Sequence, residues 1–166
     1  MRNEEKYIGK CLNGFINQTY PKEKYDIIIV DGFSDDDSIS MVKLFQKTND
    51  RIRIIFNKQR VTPVAFNLGI NASKSEIVTI FSAHSIPSNN YIEIAVDTMM
   101  PSGADCVGGP MTAIGENLIG EAISNATSSP LGMGASVFHY SKKAQYVNTV
   151  YQGFFKRKIF DKIGLF

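Results

Sequence analysis

Along the first 110 residues the apolar positions switch between a helical period and short β-branched runs. Tyr7, Ile8, Cys11, Leu12, Phe15 and Ile16 share one stripe of an amphipathic helix predicted over Glu4 to Gln18, with Asn3 as its expected cap and acids in its first turn. Ile27 to Val30 is an unbroken β-branched run, the pattern of a strand covered on both faces. It stops at Asp31. Gly32 permits a tight turn, and Ser34 with Asp35 to Asp37 offers oxygens to cap a following helix that carries Ile39, Val42 and Phe45 inward. Arg51 to Asn57 alternates as a strand, Lys58 to Arg60 is a polar loop, and a helix begins near Pro63. Glu76 to Phe81 is a further strand, ending at Ser82, Ala83 and His84. The helix from Tyr91 to Met100 turns Ile92, Ala95, Val96 and Met99 inward, and Ala104 to Val107 is a strand closed by Gly108, Gly109 and Pro110.

Strands alternating with helices at this cadence predict an α/β domain whose sheet is mostly parallel and flanked by helices. The pattern opens directly on a helix, although in a doubly wound sheet the first strand is central. It stops at Gly164, Leu165 and Phe166 without a closing element. The expectation is therefore an incomplete sheet, a fragment of one larger domain lost at both ends. Beyond Ile114 the pattern loosens into a helix over Asn117 to Ala126, a Gly- and Ser-rich loop over Ser128 to Ser136, the apolar stretch Thr149 to Phe155 and a last short helix.

Composition narrows the function classes. With 166 residues, 43% hydrophobic and 20% charged, the chain fits one globular domain. A net charge of +2 with scattered lysines argues against a nucleic-acid partner. Cys11 on the first helix and Cys106 in a strand read as two buried thiols in a reducing compartment. No apolar run approaches a membrane span, and the opening MRNEEK is too polar for a secretory signal.

Several chemistries are missing from the residues. Gly132 and Gly134 form a G-x-G that no strand runs into, so it reads as a loop and not as a dinucleotide fingerprint. No Walker-type run is present. The two histidines, His84 and His139, sit beside no nucleophile motif. A receiver-like signalling domain would need an acidic pair on its first strand and a lysine ending its last, and neither is placed. What remains is a row of polar residues at the carboxyl ends of successive strands: Asp31, then Asn57 to Arg60, then Ser82 and His84. In open α/β sheets these positions meet in one crevice, of a kind that holds a nucleotide diphosphate. Asp31 has two readings, a carboxylate facing that crevice or an acid that hydrogen-bonds its own turn. His84 likewise reads as a metal ligand or as a loop histidine bonded to nearby backbone.

Six segments in order resemble one family. RNEEKYIGKCL (Arg2 to Leu12), VDGFSDDD (Val30 to Asp37), VTPVAFNLGINASKSEIVTIFSAHS (Val61 to Ser85), ADCVGGP (Ala104 to Pro110), SPLGMGASVFHY (Ser129 to Tyr140) and TVYQGFFKRKIFDKIGLF (Thr149 to Phe166) resemble the family 2 glycosyltransferases of the GT-A fold, within them the succinoglycan-type exopolysaccharide enzymes of bacteria. The resemblance implies a Rossmann-like nucleotide-diphospho-sugar transferase domain over residues 1–166. Residues 1–110 would form its nucleotide-sugar part and 111–166 its acceptor side.

It further implies transfer of a sugar, with inversion, from a nucleotide-diphosphate sugar to a growing polysaccharide or lipid-linked acceptor, with Mn or Mg holding the diphosphate. By position, Glu5 and Asp31 would meet the nucleoside and Arg60 the base or phosphates, while Asn67 and Gly69 would shape the helix beneath the donor. The family's metal motif falls on Ser82, Ala83 and His84, which makes His84 the metal ligand. Ser82 stands where an acid is usual and is carried as a substrate-binding position. Phe154 to Lys158 would lie near the acceptor. The catalytic base, a carboxylate, is expected beyond Phe166. The implied setting is the cytoplasm, at the inner face of the membrane in a full-length protein, with self-association through exposed sheet edges. A non-catalytic remnant that binds nucleotide sugar or a protein partner is the alternative.

Overall fold

The computed structural model describes residues 1–133, 136–141 and 143–166. Gly134, half of the G-x-G, lies outside the described residues, as do two positions of the 129–140 and 141–143 stretches. The element order is α1 (Ile8–Ile16), β1 (Ile27–Asp31), α2 (Ser38–Gln46), β2 (Ile52–Phe56), α3 (Thr62–Ala72), β3 (Ile77–Thr79), α4 (Tyr91–Ser102), β4 (Cys106–Gly109), α5 (Leu118–Thr127), α6 (Pro130–Met133), β5 (Tyr151–Lys156) and α7 (Lys158–Ile163).

The α/β class is as the pattern predicts. Strand β1 pairs with β2 in parallel, Ile27 opposite Ile52 through Asp31 opposite Phe56. The second sheet holds the antiparallel member that a mostly parallel arrangement allows. In it β5 lies between β3 and β4 and runs antiparallel to both, with Phe154 opposite Thr79 and Val107. The alternating pattern carried no strand-direction signal after residue 110, because β5 enters from the loosened stretch and not from a β-α-β crossover. No backbone hydrogen bond joins the two sheets among the described residues.

One hydrophobic cluster holds the layers together. Ile8, Cys11, Leu12 and Phe15 of α1 meet Ile27, Val42, Ile52, Ile92, Met99, Val107 and Phe154. Aromatic edges extend it, Phe15 to Phe81 at 4.8 Å, Phe81 to Tyr91 at 5.4 Å and Tyr91 to Phe154 at 5.0 Å. Two polar side chains act as braces that the apolar pattern did not announce. Buried Gln18 accepts from the Ile92 amide at 2.9 Å and donates to the Gly14 and Ser88 carbonyls, so it caps α4 from just beyond the end of α1. Arg157 donates to the carbonyls of Ser75, Ile70 and Ser73 at the end of α3, a cation at a helix C-terminus.

The predicted Asn3 cap takes a different form. Helix α1 is regular only from Ile8, and the Asn3 side chain accepts from the Asp35 amide at 3.1 Å. Asn117, in contrast, caps α5 as its position suggests, accepting from the Gly120 amide at 2.9 Å. Part of the Gly- and Ser-rich loop is helical, forming α6. No helix among the described residues is long and apolar enough to cross a membrane.

Candidate active site

The carboxyl ends of β1 and β2 are organised by a reciprocal set of short bonds between residues 1–5 and residues 30–38. The amides of Asn3, Glu4 and Glu5 donate to Ser34 Oγ at 2.9 Å, Ser38 Oγ at 2.7 Å and Asp36 Oδ2 at 3.0 Å. In return Glu5 Oε2 accepts from the Asp37 amide at 3.0 Å. The acids and serines of the turn thus satisfy the first amides of α1's approach as well as serving α2, for which Asp36 Oδ1 accepts from the Ser38 amide at 3.0 Å. Burial alone would raise the Asp36 carboxyl. The hydroxyl and amide of Ser38 and the amide of Glu5 nevertheless hold it below the usual carboxylate range.

Asp31 sits under this stitch and is 0% exposed. Its Oδ2 accepts from the Ser34 amide at 3.0 Å and its Oδ1 from the Ser34 hydroxyl at 2.6 Å. Of its two readings, the geometry displays the turn-bonding one. Its carboxylate fixes the loop on which Phe33 is presented. Glu5 is likewise engaged with the turn, at an exposed position.

Two clusters stand above the stitch. In the first, the Arg60 guanidinium lies 5.8 Å from the Phe33 ring centroid, and Phe33 meets Phe56 at 5.5 Å. Both aromatic rings are exposed. Asn57 is buried and holds the loop that carries Arg60. Its side chain donates to the Val61 carbonyl at 2.9 Å, and its own amide donates to the Asp31 carbonyl at 2.7 Å. Asn3, Phe33 and Arg60 all have positive φ, at 55°, 59° and 58°, a conformation that side chains other than glycine seldom adopt. Such strain gathers where the surroundings over-determine the backbone, and here it gathers at one end of β1 and β2.

In the second cluster, at the carboxyl end of β3, Ser82 Oγ lies 2.9 Å from His84 Nε2, and His84 Nδ1 lies 3.1 Å from Glu4 Oε1. The His84 side chain is 57% exposed and Glu4 is largely covered. Sequence reasoning singled out Glu5 and passed over Glu4. The two are adjacent acids ahead of α1, and only the long-range placement of His84 tells them apart. Phe33 and Phe56 were also passed over, although an aromatic after a strand-ending turn was the available signal.

No described contact joins Arg60 to His84. Residues 1–5 and 31–38 connect the cluster of Arg60 and Phe33 to that of Ser82 and His84.

The remaining expected positions act in the frame. The Asn67 side chain donates to the Phe166 carbonyl at 2.7 Å and accepts from the Phe166 amide at 3.0 Å, and Gly69 lies against Val30. Phe154 is in the core and Arg157 braces α3, so this stretch holds the second sheet, with only Lys158 well exposed. Cys11 is buried, and burial together with nearby Glu4 pushes its thiol up to about 12.

The family model for glycosyl transferase family 2 matches residues 1–164. A dolichyl N-acetyl-alpha-D-glucosaminyl phosphate 3-beta-D-2,3-diacetamido-2,3-dideoxy-beta-D-glucuronosyltransferase of Methanococcus voltae is 38% identical over 165 residues, covering 95% of this chain and 51% of the relative. The glycosyltransferase AglE of Haloferax volcanii is 34% identical over 108 residues, covering 64% and 36%. The chain thus spans about half the length, or less, of these relatives. Among solved structures, the mannosyltransferase PcManGT of Pyrobaculum calidifontis, in complex with GDP-Man and Mn2+, superposes with a TM-score of 0.72 at 19% identity, covering 100% of this chain and 45% of that one. TarS of S. aureus in complex with UDP gives 0.73 at 14% identity, covering 98% and 46%. These likenesses show the fold. None of the four is described as a succinoglycan enzyme, so the resemblance holds at the level of the family and not of that narrower group.

Proposed function

The chain belongs to glycosyl transferase family 2, and from that premise we propose that it forms the nucleotide-sugar-binding part of an enzyme that transfers a sugar from a nucleotide-diphosphate donor to a glycan or lipid-linked acceptor. The observation that carries this reading is the pair of clusters at the carboxyl ends of β1, β2 and β3, set on a hydrogen-bonded loop frame. Phe33 offers an exposed π face to a nucleobase, and Arg60 stands beside it as the cation for a phosphate. Asp31 and Glu5 act one step back, by fixing the turn that presents Phe33.

The donor set Glu4, His84 and Ser82 suits a divalent cation shared with substrate phosphates, since the imidazole lies within hydrogen-bond distance of both the carboxylate and the hydroxyl. His84 and Glu4 would hold Mn or Mg, and Ser82 would contact a ribose or phosphate oxygen. When bound, the metal offsets charge on the departing diphosphate. Ser82 supplies no charge of its own, so among these three side chains Glu4 supplies the carboxylate.

Residues 1–110 serve the donor and 111–166 the acceptor side in this reading. A lipid-linked acceptor is favoured by the dolichyl in the name of the Methanococcus voltae relative, and a growing exopolysaccharide is the narrower alternative. Asp31 is buried and engaged, and Glu5 is bonded to the turn, so neither is free to act as the general base.

Calorimetric titration of UDP and GDP, with and without Mn2+, tests the proposal. The expected result is metal-dependent binding that Arg60→Ala and His84→Ala each weaken by about tenfold, or ~1.4 kcal/mol. Binding that ignores both the metal and these variants would instead favour a remnant without donor chemistry.

A further inference from the structure

Beyond His84 the turn at the end of β3 runs into a third group of polar side chains. The Ser85 amide donates to the Ser82 carbonyl at 3.1 Å, so Ser82, His84 and Ser85 belong to one closed turn. Gln152 of β5 reaches it. Its Nε2 donates to Ser85 Oγ at 2.8 Å and to the Tyr151 hydroxyl at 3.2 Å, and that hydroxyl lies 3.4 Å from Ser85 Oγ. All three side chains are half-buried. The Tyr151 ring is stacked on Phe138, with centroids 5.7 Å apart and planes 13° from parallel.

The backbone under this group is irregular. The register of β5 on β4 shifts between Val107 and Gly109, and Gln152 has a φ of 46°. In a regular strand successive side chains point to opposite faces. Here Tyr151 and Gln152 bond each other, so the irregularity turns both to one side. Two features hold it in place. The Tyr91 hydroxyl donates to the Gln152 carbonyl at 2.8 Å. Gly108 lets the two strands close up, since a Cβ there would stand 2.6 Å from Val150 Cβ and 2.9 Å from the Tyr151 carbonyl oxygen. A glycine at position 152 would take this φ without strain, and the chain carries a glutamine instead. Strained positions that keep a side chain gather at ligand sites.

Resting on the nucleotide-sugar reading of the chain, we propose that Ser85, Tyr151 and Gln152 form the subsite that holds the donor's sugar and sets which sugar is taken. In that reading Ser82 and His84 receive the diphosphate, and the sugar is the group attached beyond it. The neighbouring side chains of the same turn are those that the sugar can reach. Among the described residues nothing donates to Gln152 Oε1, which is left as an acceptor, while the Ser85 and Tyr151 hydroxyls can donate. No charged side chain bonds to the three among the described residues. The group they fit is therefore uncharged and offers both donors and acceptors, as the hydroxyl and acetamido substituents of a hexopyranose do. Ser85 comes from the donor part and Tyr151 and Gln152 from the acceptor side, so the transferred ring lies where the two meet.

Calorimetric titrations of the full chain with Mn2+ present compare each nucleotide with its sugar conjugates: UDP with UDP-glucose and UDP-N-acetylglucosamine, and GDP with GDP-mannose. Gln152→Gly removes the side chain and relaxes its backbone, and Tyr151→Phe removes one hydroxyl while keeping the stack on Phe138. Each variant is expected to weaken a nucleotide sugar about fivefold, the loss of one hydrogen bond, with the free nucleotide's affinity and the melting temperature near the parent's. A structural brace would behave otherwise. A lower melting temperature for Gln152→Gly, with nucleotide and nucleotide sugar weakened alike or not at all, would overturn the assignment. Weaker binding of octyl glucoside with the nucleotide sugars unaffected would overturn it too, since these residues would then serve the acceptor. If neither UDP nor GDP binds the parent, the nucleotide-sugar reading falls and the subsite with it. If they bind and the variants separate nothing, the sugar subsite alone falls.

Discussion

Residues 1–38 and residues 111–149 carry similar amphipathic patterns and reach opposite outcomes. In the first region α1 buries its stripe, Leu12 to 0% exposure, and the loops around it exchange side-chain bonds with their amides across some thirty residues of sequence. In the second, α5 buries nothing, and Leu118 and Ile119 are 85% and 75% exposed. Among the described residues, its ties to the rest include Tyr7 to Glu116 at 3.0 Å, the Tyr146 hydroxyl to the Ser102 carbonyl at 3.5 Å and Phe138 stacked on Tyr151 at 5.7 Å. Hydrophobic period tells which face of a helix repels water. It does not tell whether a partner within the same 166 residues covers that face.

The sharpest way to break this comparison is to truncate matched apolar residues. Leu12→Ala should cost about 2–5 kcal/mol, the range for a large buried aliphatic whose cavity cannot fully collapse. Ile119→Ala should fall within about 0.5 kcal/mol of the parent, as surface changes do. Urea unfolding of both variants checks the pair, and equal losses would show that α5 is packed as tightly as α1.

The next effect separates a framing acid from a ligand-binding one. Asp31→Ala removes both acceptors for Ser34 from a site closed to water, and should lower stability by about 1–3 kcal/mol without any nucleotide present. If stability is unchanged and only nucleotide affinity falls, Asp31 faces the ligand after all.

Much of the first region was legible in the residue pattern, for a physical reason. Ile27 to Val30, the helix stripes and the acidic turn are local signals, and β1, α2 and β2 follow from them within a residue or two. The antiparallel entry of β5 was not legible, because direction in a sheet is fixed by tertiary pairing and not by a strand's own composition. In the site, the pairing of Glu4 with His84 spans eighty residues, and no local pattern announces it. Glu4 gains its role only when His84 arrives beside it, and Gln18 caps a helix that begins far along the chain. The buried carboxylate of Asp31 had been readable either way from sequence, since a short acid after a strand can bond its own turn as easily as a ligand.

A smaller effect sharpens the picture within α1 itself. A Cβ at Gly14 would stand 2.8–3.0 Å from Pro87, including its backbone oxygen, whereas one at Gly9 would meet only the flexible end of Met41 at 2.9 Å. Each alanine gains about 1 kcal/mol of helix propensity. Gly9→Ala should keep most of that gain, while Gly14→Ala should lose it, and more, to displacement of the loop after β3. Melting temperatures moving in opposite directions would support that difference, and a shared rise would show that Pro87 yields easily.

The smallest expected effect is electrostatic and tests whether the stitch between residues 1–5 and 30–38 depends on charge. Asp36 is held below its ordinary value of 3.8 in the folded chain, against its own partial desolvation, by bonds from Ser38 and the Glu5 amide. A depressed folded pKa means that the unfolded chain binds the proton first as pH falls, so the carboxylate's contribution is complete above 3.8 and disappears as pH drops through the lower folded value. Asp36→Asn keeps the shape and one acceptor but cannot ionise. The parent should therefore be the more stable protein at pH 6, with the gap closing only below pH 3.8. Parallel urea titrations of the two proteins between those limits measure it. A gap that persists unchanged into acid would show that shape and not charge holds the turn, and a gap that widens in acid would reverse the sign of the shift assigned to Asp36.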